Sequence, residues 1–225
     1  MAGISLKSSQ LAAIHRMLAM NDDSYTIPNA NASTSFASPT NPSSPPQWKI
    51  LIYDAPCRSI ISPLLSVSQL RACGVTLHLL LSADREPIPD VPAVYFCEPT
   101  RANLSIIAQD CANGLYECAH INFVNKLPRY LMEEFAKLIV STNSLSKVAS
   151  IHDQYLDYVS LERGLFSLYK KKNYVRYSES NVNEETIEAV MDEIAYGLFS
   201  AVATLGIVPI IRCPKVRLRY FVFTL

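Results

Sequence analysis

Apolar positions in this chain cluster into short unbroken runs, and stretches of helical period separate them. Trp48-Lys49-Ile50-Leu51-Ile52-Tyr53-Asp54 is such a run. It is too short for an ordinary helix and rich in strand formers, as expected of a strand covered on both faces. Val75-Thr76-Leu77-His78-Leu79-Leu80-Leu81, Ala93-Val94-Tyr95-Phe96-Cys97 and His120-Ile121-Asn122-Phe123-Val124 repeat the pattern. Gln154-Tyr155-Leu156-Asp157-Tyr158-Val159 alternates instead, which predicts a fifth strand at a sheet edge. Helices are predicted between them. One spans 60–72 and stops at Cys73-Gly74; one follows the Thr100 cap with Leu104, Ile107, Ala108, Cys111, Leu115 and Cys118 on one face; one spans 129–142 behind Pro128. A further helix over 5–20 carries Leu11, Ile14, Met17 and Leu18 at helical spacing.

Strand–helix alternation of this kind predicts an α/β fold. Its core is an open, mostly parallel five-stranded sheet with helices on both faces, followed by the start of a second α/β domain. In that second unit, 165–168 and 174–177 are strand candidates, and 184–205 is a long helix. Asn183 caps it, Glu184 and Glu185 suit its positive end, and Gly206 stops it. Its apolar stripe is Ile187, Val190, Met191, Ile194, Leu198, Val202 and Leu205, and 207–212 should be a strand. The expected organisation is a helix of the first domain at 1–21, an insert at 22–46, the first α/β domain at 47–162 and an incomplete second domain at 163–225. The insert is dominated by Ser, Asn, Thr, Ala and Pro and cannot bury enough surface to offset its ordering entropy, so disorder is expected there.

Composition narrows the function. Hydrophobic residues make up 49% of the 225, enough for a sizeable core, and the formal net charge is +0. No global field draws in nucleic acid or an acidic membrane. Lys170-Lys171-Lys172 is the one basic run, expected to be a solvated loop. The six cysteines form no CxxC pair and read as reduced, mostly buried thiols of a cytosolic protein. No secretory leader or membrane-spanning run is apparent, so the sequon-like Asn31-Ala32-Ser33 and Asn103-Leu104-Ser105 are expected to be chance matches.

Catalytic signatures are missing where this fold would put them. The turn after the first strand is Asp54-Ala55-Pro56-Cys57, without a glycine to let backbone N–H groups approach phosphate. The chain has 6 glycines, and no P-loop or GxGxxG can be assembled from them. His152-Asp153 could orient an imidazole, but no GxSxG or HExxH accompanies it. Asp54 alone could hold a metal. The expectation is therefore no catalytic residue, no cofactor and no metal. The rival from another class is a small-molecule enzyme with a deep polar pocket near Asp54; a third reading is an unstable fragment without function.

What the sequence does offer is surplus greasy surface. On the 129–142 helix, Leu131, Phe135 and Leu138 lie together, and Met132, Ala136, Ile139 and Val140 widen the arc to about 200°, against about 100° for one buried stripe. With Val148 and Ile151 from the next segment, Met132, Phe135 and Ala136 could form a groove that receives an apolar side chain of a peptide. The bland alternative is cover by the neighbouring segment of the same chain.

Several blocks together carry a family resemblance. They are Trp48 to Asp54, Gly74-Val75-Thr76-Leu77, Asp90-Val91-Pro92-Ala93-Val94-Tyr95-Phe96, His152-Asp153-Gln154-Tyr155-Leu156 and Leu205-Gly206-Ile207-Val208-Pro209-Ile210-Ile211-Arg212-Cys213-Pro214. They resemble, in order, the N-terminal part of the Sec/Munc (SM) family, Sly branch. The resemblance implies a non-enzymatic, monomeric regulator of SNARE assembly in vesicle transport between endoplasmic reticulum and Golgi. It implies a cytoplasmic protein held at those membranes through its SNARE, without direct insertion. It implies that the first domain takes up the N-terminal peptide of a Golgi syntaxin in an apolar pocket, which falls here on Leu131, Met132, Phe135, Ala136, Val140, Val148 and Ile151. Two departures stand out: the long insert, and a tail at 215–225 that no longer resembles the family. The second suggests a truncated product with partial function.

Overall fold

The computed structural model describes residues 5–21, 47–82, 84–179 and 181–212. The predicted insert and the 215–225 tail lie outside them. In chain order the elements are α1 (Leu6–Leu18), β1 (Lys49–Tyr53), α2 (Ala55–Ile61), α3 (Val67–Ala72), β2 (Val75–Leu80), β3 (Ala93–Cys97), α4 (Arg101–Ala112), β4 (Ala119–Phe123), α5 (Arg129–Ser141) and β5 (Val148–Asp153). After them come β6 (Val159–Ser160), β7 (Phe166–Ser167), α6 (Asn173–Ser178) and α7 (Glu184–Leu205).

Strands β1 to β5 form one parallel sheet in the order β2-β1-β3-β4-β5. The central strands β1 and β3 are buried at every position, which explains why both read as unbroken apolar runs. Successive side chains supply two separate cores. Ile50, Ile52, Tyr95, Ile121 and Phe123 face α4 and α5, which contribute Leu104, Ile107, Leu131, Phe135 and Ile139. Leu51, Val94 and Phe96 face α1, α2 and α3, which bring Ile14, Met17, Leu18, Ile60 and Leu70. Lys49 is buried at the start of β1, and its ammonium donates to the Leu18 carbonyl at 2.7 Å, so one cation closes the carboxyl end of α1.

Four sequence expectations change. The predicted 60–72 helix is two short ones, α2 and α3, with a Ser66–Gln69 capping box opening the second. The fifth strand is Val148–Asp153, not 154–159; Leu156 and Tyr158 are buried, but their segment leaves the sheet, with only Val159–Ser160 pairing antiparallel to β7. Tyr174 to Tyr177 lies within helix α6, where aromatic and β-branched residues had suggested a strand. Residues 207–212 form no strand.

The α7 helix docks on the first unit by a face the pattern does not announce. Its buried residues are Val190, at the margin of the apolar stripe, and Gly197, Ser200 and Ala201, roughly a quarter turn or more from it, and Leu198 of that stripe is 47% exposed. A Cβ at Gly197 would lie 2.8 Å from Leu168 Cδ2 and 3.2 Å from the Asp157 carbonyl oxygen, so a larger residue fits only if Leu168 turns away and the backbone at Asp157 gives slightly. Polar contacts add to this: Ser200 Oγ donates to Asn125 Oδ1 at 3.2 Å and Thr204 Oγ1 to the Tyr155 carbonyl at 3.3 Å, beside an edge-on Tyr155–Phe199 ring pair and a small apolar cluster of Leu6, Tyr158 and Ala201 with Leu205 packed against it. On α1, buried Gln10 bonds the Tyr158 carbonyl and accepts from Ser160 N–H, tying the first helix to the same junction.

Candidate docking site on the outer edge of the sheet

Two places compete as the functional site: the switch in strand order between β1 and β3, and the outer edge at α5 and β5. Asp54 stands at the switch, and all of its hydrogen bonds serve the fold. One oxygen accepts from Cys57 N–H at 3.0 Å and caps α2; the other accepts from Glu98 N–H at 2.7 Å and from Asn103 Nδ2 at 3.0 Å. Asn103 Nδ2 also donates to the Glu98 carbonyl at 2.9 Å. Beside this knot lies a crevice of about 40 Å³, lined by Pro56, Ile60, Glu98, Asp157, Tyr169 and Lys170 among others. Small-molecule sites are commonly about 300–1,000 Å³. A water fits here; a substrate does not.

The charges around that crevice are also committed. Lys170 bonds both oxygens of Asp157 at 2.9 and 3.0 Å, and Lys171 lies over the Tyr169 ring. Lys170 is thus built into the junction, while Lys171 and Lys172 are exposed in a loop, as the sequence suggested. Burial pushes the Glu98 carboxyl above its ordinary value, and Asp54, Asp157 and Glu193 push the same way against the pull of Lys170.

His152 and Asp153 are neighbours on β5 and form no dyad. Asp153 accepts from Leu127 N–H at 3.0 Å. A different cluster forms on β4 and β5: Cys118 Sγ lies 3.7 Å from His120 Nε2, and His120 Nδ1 lies 3.0 Å from Ser150 Oγ. Burial raises the Cys118 thiol and lowers the His120 imidazole, so both stay neutral near pH 7 and the thiol is not activated. Among the described residues no three His, Cys, Asp or Glu side chains gather closely enough to hold a metal ion, and no helix is long and apolar enough to cross a membrane.

The outer edge is different. At about 100° per residue, Leu131, Phe135 and Ile139 share one face of α5, and Met132, Ala136 and Val140 share the next. Leu131 and Phe135 are 5% and 2% exposed and pack on the sheet. The sequence had placed both in a groove; they are its foundation instead, because a helix on a sheet must spend its central stripe on the core. Met132 and Val140 are 45% and 66% exposed, and Ala136 is exposed between them.

An ion pair on the opposite flank marks which way that second face looks. Glu134, on the opposite flank of α5, takes both nitrogens of Arg101 on α4, at 2.6 and 2.8 Å. With that flank turned to α4, Met132, Ala136 and Val140 turn outward, toward the edge strand β5. Ile151 registers with the core residue Ile121, and side chains in register on parallel strands share a face. Ile151 is 36% exposed on the α5 side, and Val148 packs partly against the same core. The structure therefore brings Met132, Ala136, Val140, Val148 and Ile151 to one edge. The signal that separates them from Leu131 and Phe135 is the one charged residue, Glu134, with a partner on a neighbouring helix, and that is invisible to periodicity.

The architecture defines an α/β module whose switch point is occupied by structural hydrogen bonds and whose outer edge at α5 and β5 carries a row of exposed apolar side chains, one of several exposed apolar areas on the molecule. The chain belongs to the Sec1 family, which it matches over residues 49–218. It is 41% identical over 212 residues to the SEC1 family transport protein SLY1 of Arabidopsis thaliana, covering 94% of this chain and 32% of that protein. It is 42% identical over 218 residues to Sec1 family domain-containing protein 1 of Mus musculus, covering 95% and 32%. The chain thus spans about a third of the length of the curated relatives it matches. The crystal structure of Sly1p in complex with an N-terminal peptide of Sed5p is similar at a TM-score of 0.84 and 37% identity, over 95% of this chain and 36% of that one. The resemblance read from the sequence blocks is borne out, down to the Sly branch.

Proposed function

We propose that this chain is a SNARE-binding module that regulates vesicle-mediated transport between endoplasmic reticulum and Golgi. It docks the N-terminal peptide of a syntaxin-type SNARE on the outer edge of its sheet, and it acts by binding, not by catalysis. One observation carries this reading: Sly1p, similar to this chain over 95% of its length, has been solved with an N-terminal peptide of Sed5p. The exposed side chains of Met132, Ala136 and Val140 on α5 and Ile151 on β5, with Val148 partly packed on the core, form the apolar edge best suited to such a peptide. An aromatic side chain seated there removes its own area and that of several exposed apolar groups from water, a gain of a few kcal/mol. With a few flanking contacts that gives micromolar affinity. A module of this kind is cytoplasmic and reaches endoplasmic reticulum and Golgi membranes through its SNARE.

Titration of a fluorescent N-terminal peptide of Sed5p tests the site. Ala136→Lys and Met132→Lys change exposed positions, so both variants should melt like the parent while binding at least about tenfold more weakly. Equal affinity in parent and variants rejects the groove. Phe135→Lys is unsuitable for this purpose, since a charge in the core unfolds the protein.

A further inference from the structure

The register of the sheet is regular in its interior and irregular at both margins. β1 with β3 and β3 with β4 pair residue for residue. On the β2 margin, Lys49 faces Val75 and the next residue, Ile50, faces Leu77; Thr76 is extra. On the β5 margin, Ala119 faces Val148 and His120 faces Ser150; Ala149 is extra. Each edge strand, and neither interior pair, holds one surplus residue near its start. Thr76 is anchored in that position by its hydroxyl, which donates to the Lys49 carbonyl at 3.2 Å. Both extra residues are exposed.

A bulge in an edge strand bends it and breaks the even row of unpaired N–H and C=O groups that another chain would use as a template. Past the bulges only Leu77–Leu80 and Ser150–Asp153 keep a regular register, and His78, His152 and Asp153 place polar groups on those short stretches. The bulge at Ala149 also leaves Ile151 in register with Ile121, so the groove wall survives while the backbone edge is spoiled.

We propose that Thr76 and Ala149 close both margins of the sheet to strand addition. Copies of the chain then do not pair edge to edge, and a peptide at the α5–β5 edge is read through its side chains and not by adding a strand to β5. The second half of this inference rests on the proposed function; the first does not.

Two measurements test it. In the first, the parent protein is titrated with the Sed5p N-terminal peptide carrying a single backbone N-methyl group at each residue in turn. A strand added to β5 would lose a ladder bond at every second residue, about tenfold in affinity each time. The expected profile has no such alternation, and its appearance overturns the proposal. In the second, Ala149 or Thr76 is removed, which restores an even register. Folded deletion variants, judged by circular dichroism, are expected to form concentration-dependent dimers or larger species in sedimentation velocity, while the parent stays monomeric. Monomeric deletion variants overturn the proposal. The peptide scan uses only the parent and decides even where a deletion fails to fold. A peptide that does not bind at all rejects the proposed function, and sedimentation then decides on the margins.

Discussion

The sheet unit and the α7 unit bury themselves by opposite means. In the sheet unit, large side chains such as Phe135, Tyr95 and Phe123 fill both layers, and each helix turns its greasiest stripe inward. At the α7 junction small residues, Gly197, Ser200 and Ala201, make the close contact with a few hydrogen bonds, a small apolar cluster and one aromatic pair, and much of the greasy stripe stands to one side, half uncovered. The sheet unit is thus held by apolar area, which is large and forgiving of direction. The junction is held by close approach, a small apolar cluster and a few polar contacts, a smaller contact that responds to added volume. Amphipathic pattern says that a helix has something to bury, not that the neighbour at hand is what buries it.

Three experiments sharpen that contrast. The largest effect is expected at Phe135: truncation to Ala should cost about 3–5 kcal/mol and shift the main transition in denaturant unfolding of the whole chain. A loss under about 1 kcal/mol would mean that the α5 layer does not carry the sheet unit. Next comes Gly197→Val, which forces side-chain volume against Leu168 and the Asp157 carbonyl. It should cost about 1–3 kcal/mol and act locally. Limited proteolysis should then cut between β7 and α7 while the sheet unit stays resistant; cleavage throughout the chain would refute a separable junction.

The smallest effect concerns Glu98, beside the junction. Its proton affinity is higher in the folded chain than in the unfolded one, first through burial and then through Asp54, Asp157 and Glu193. The folded state is therefore penalised once this carboxyl ionises, and the penalty is relieved as pH falls through the raised value. Glu98→Gln should make the chain modestly more stable than the parent at pH 7 and no more stable below pH 4. A variant that gains nothing at neutral pH would show that Lys170 already compensates the charge.

Much of the sheet was legible because strands buried on both faces leave nearly unbroken apolar runs, as β3 does throughout and β1 does after its buried Lys49. The edge strand β5 was not, because Val-Ala-Ser-Ile-His-Asp is covered on one side at most and bears a bulge that scrambles alternation. The neighbouring 154–159 alternates through Leu156 and Tyr158, whose burial belongs to the path off the sheet. At the candidate site, the width of the apolar arc on α5 was readable, and so was its excess over one stripe. Which residues made up the excess was not: Leu131 and Phe135 have the same character as Met132 and Val140, and the helix rotation is set by packing on the sheet from distant strands, with Arg101 on α4 marking the opposite flank.

The side-chain amide of Asn103 ends in two hydrogen bonds, to the Asp54 carboxylate and the Glu98 carbonyl. An oligosaccharide would have to be attached through that same nitrogen. Even in a compartment that supplies the transferase, the folded chain offers no acceptor at Asn103-Leu104-Ser105, and a sugar added during synthesis would unpick the seam where β1 and β3 diverge. Here the sequon is a coincidence that the fold itself enforces.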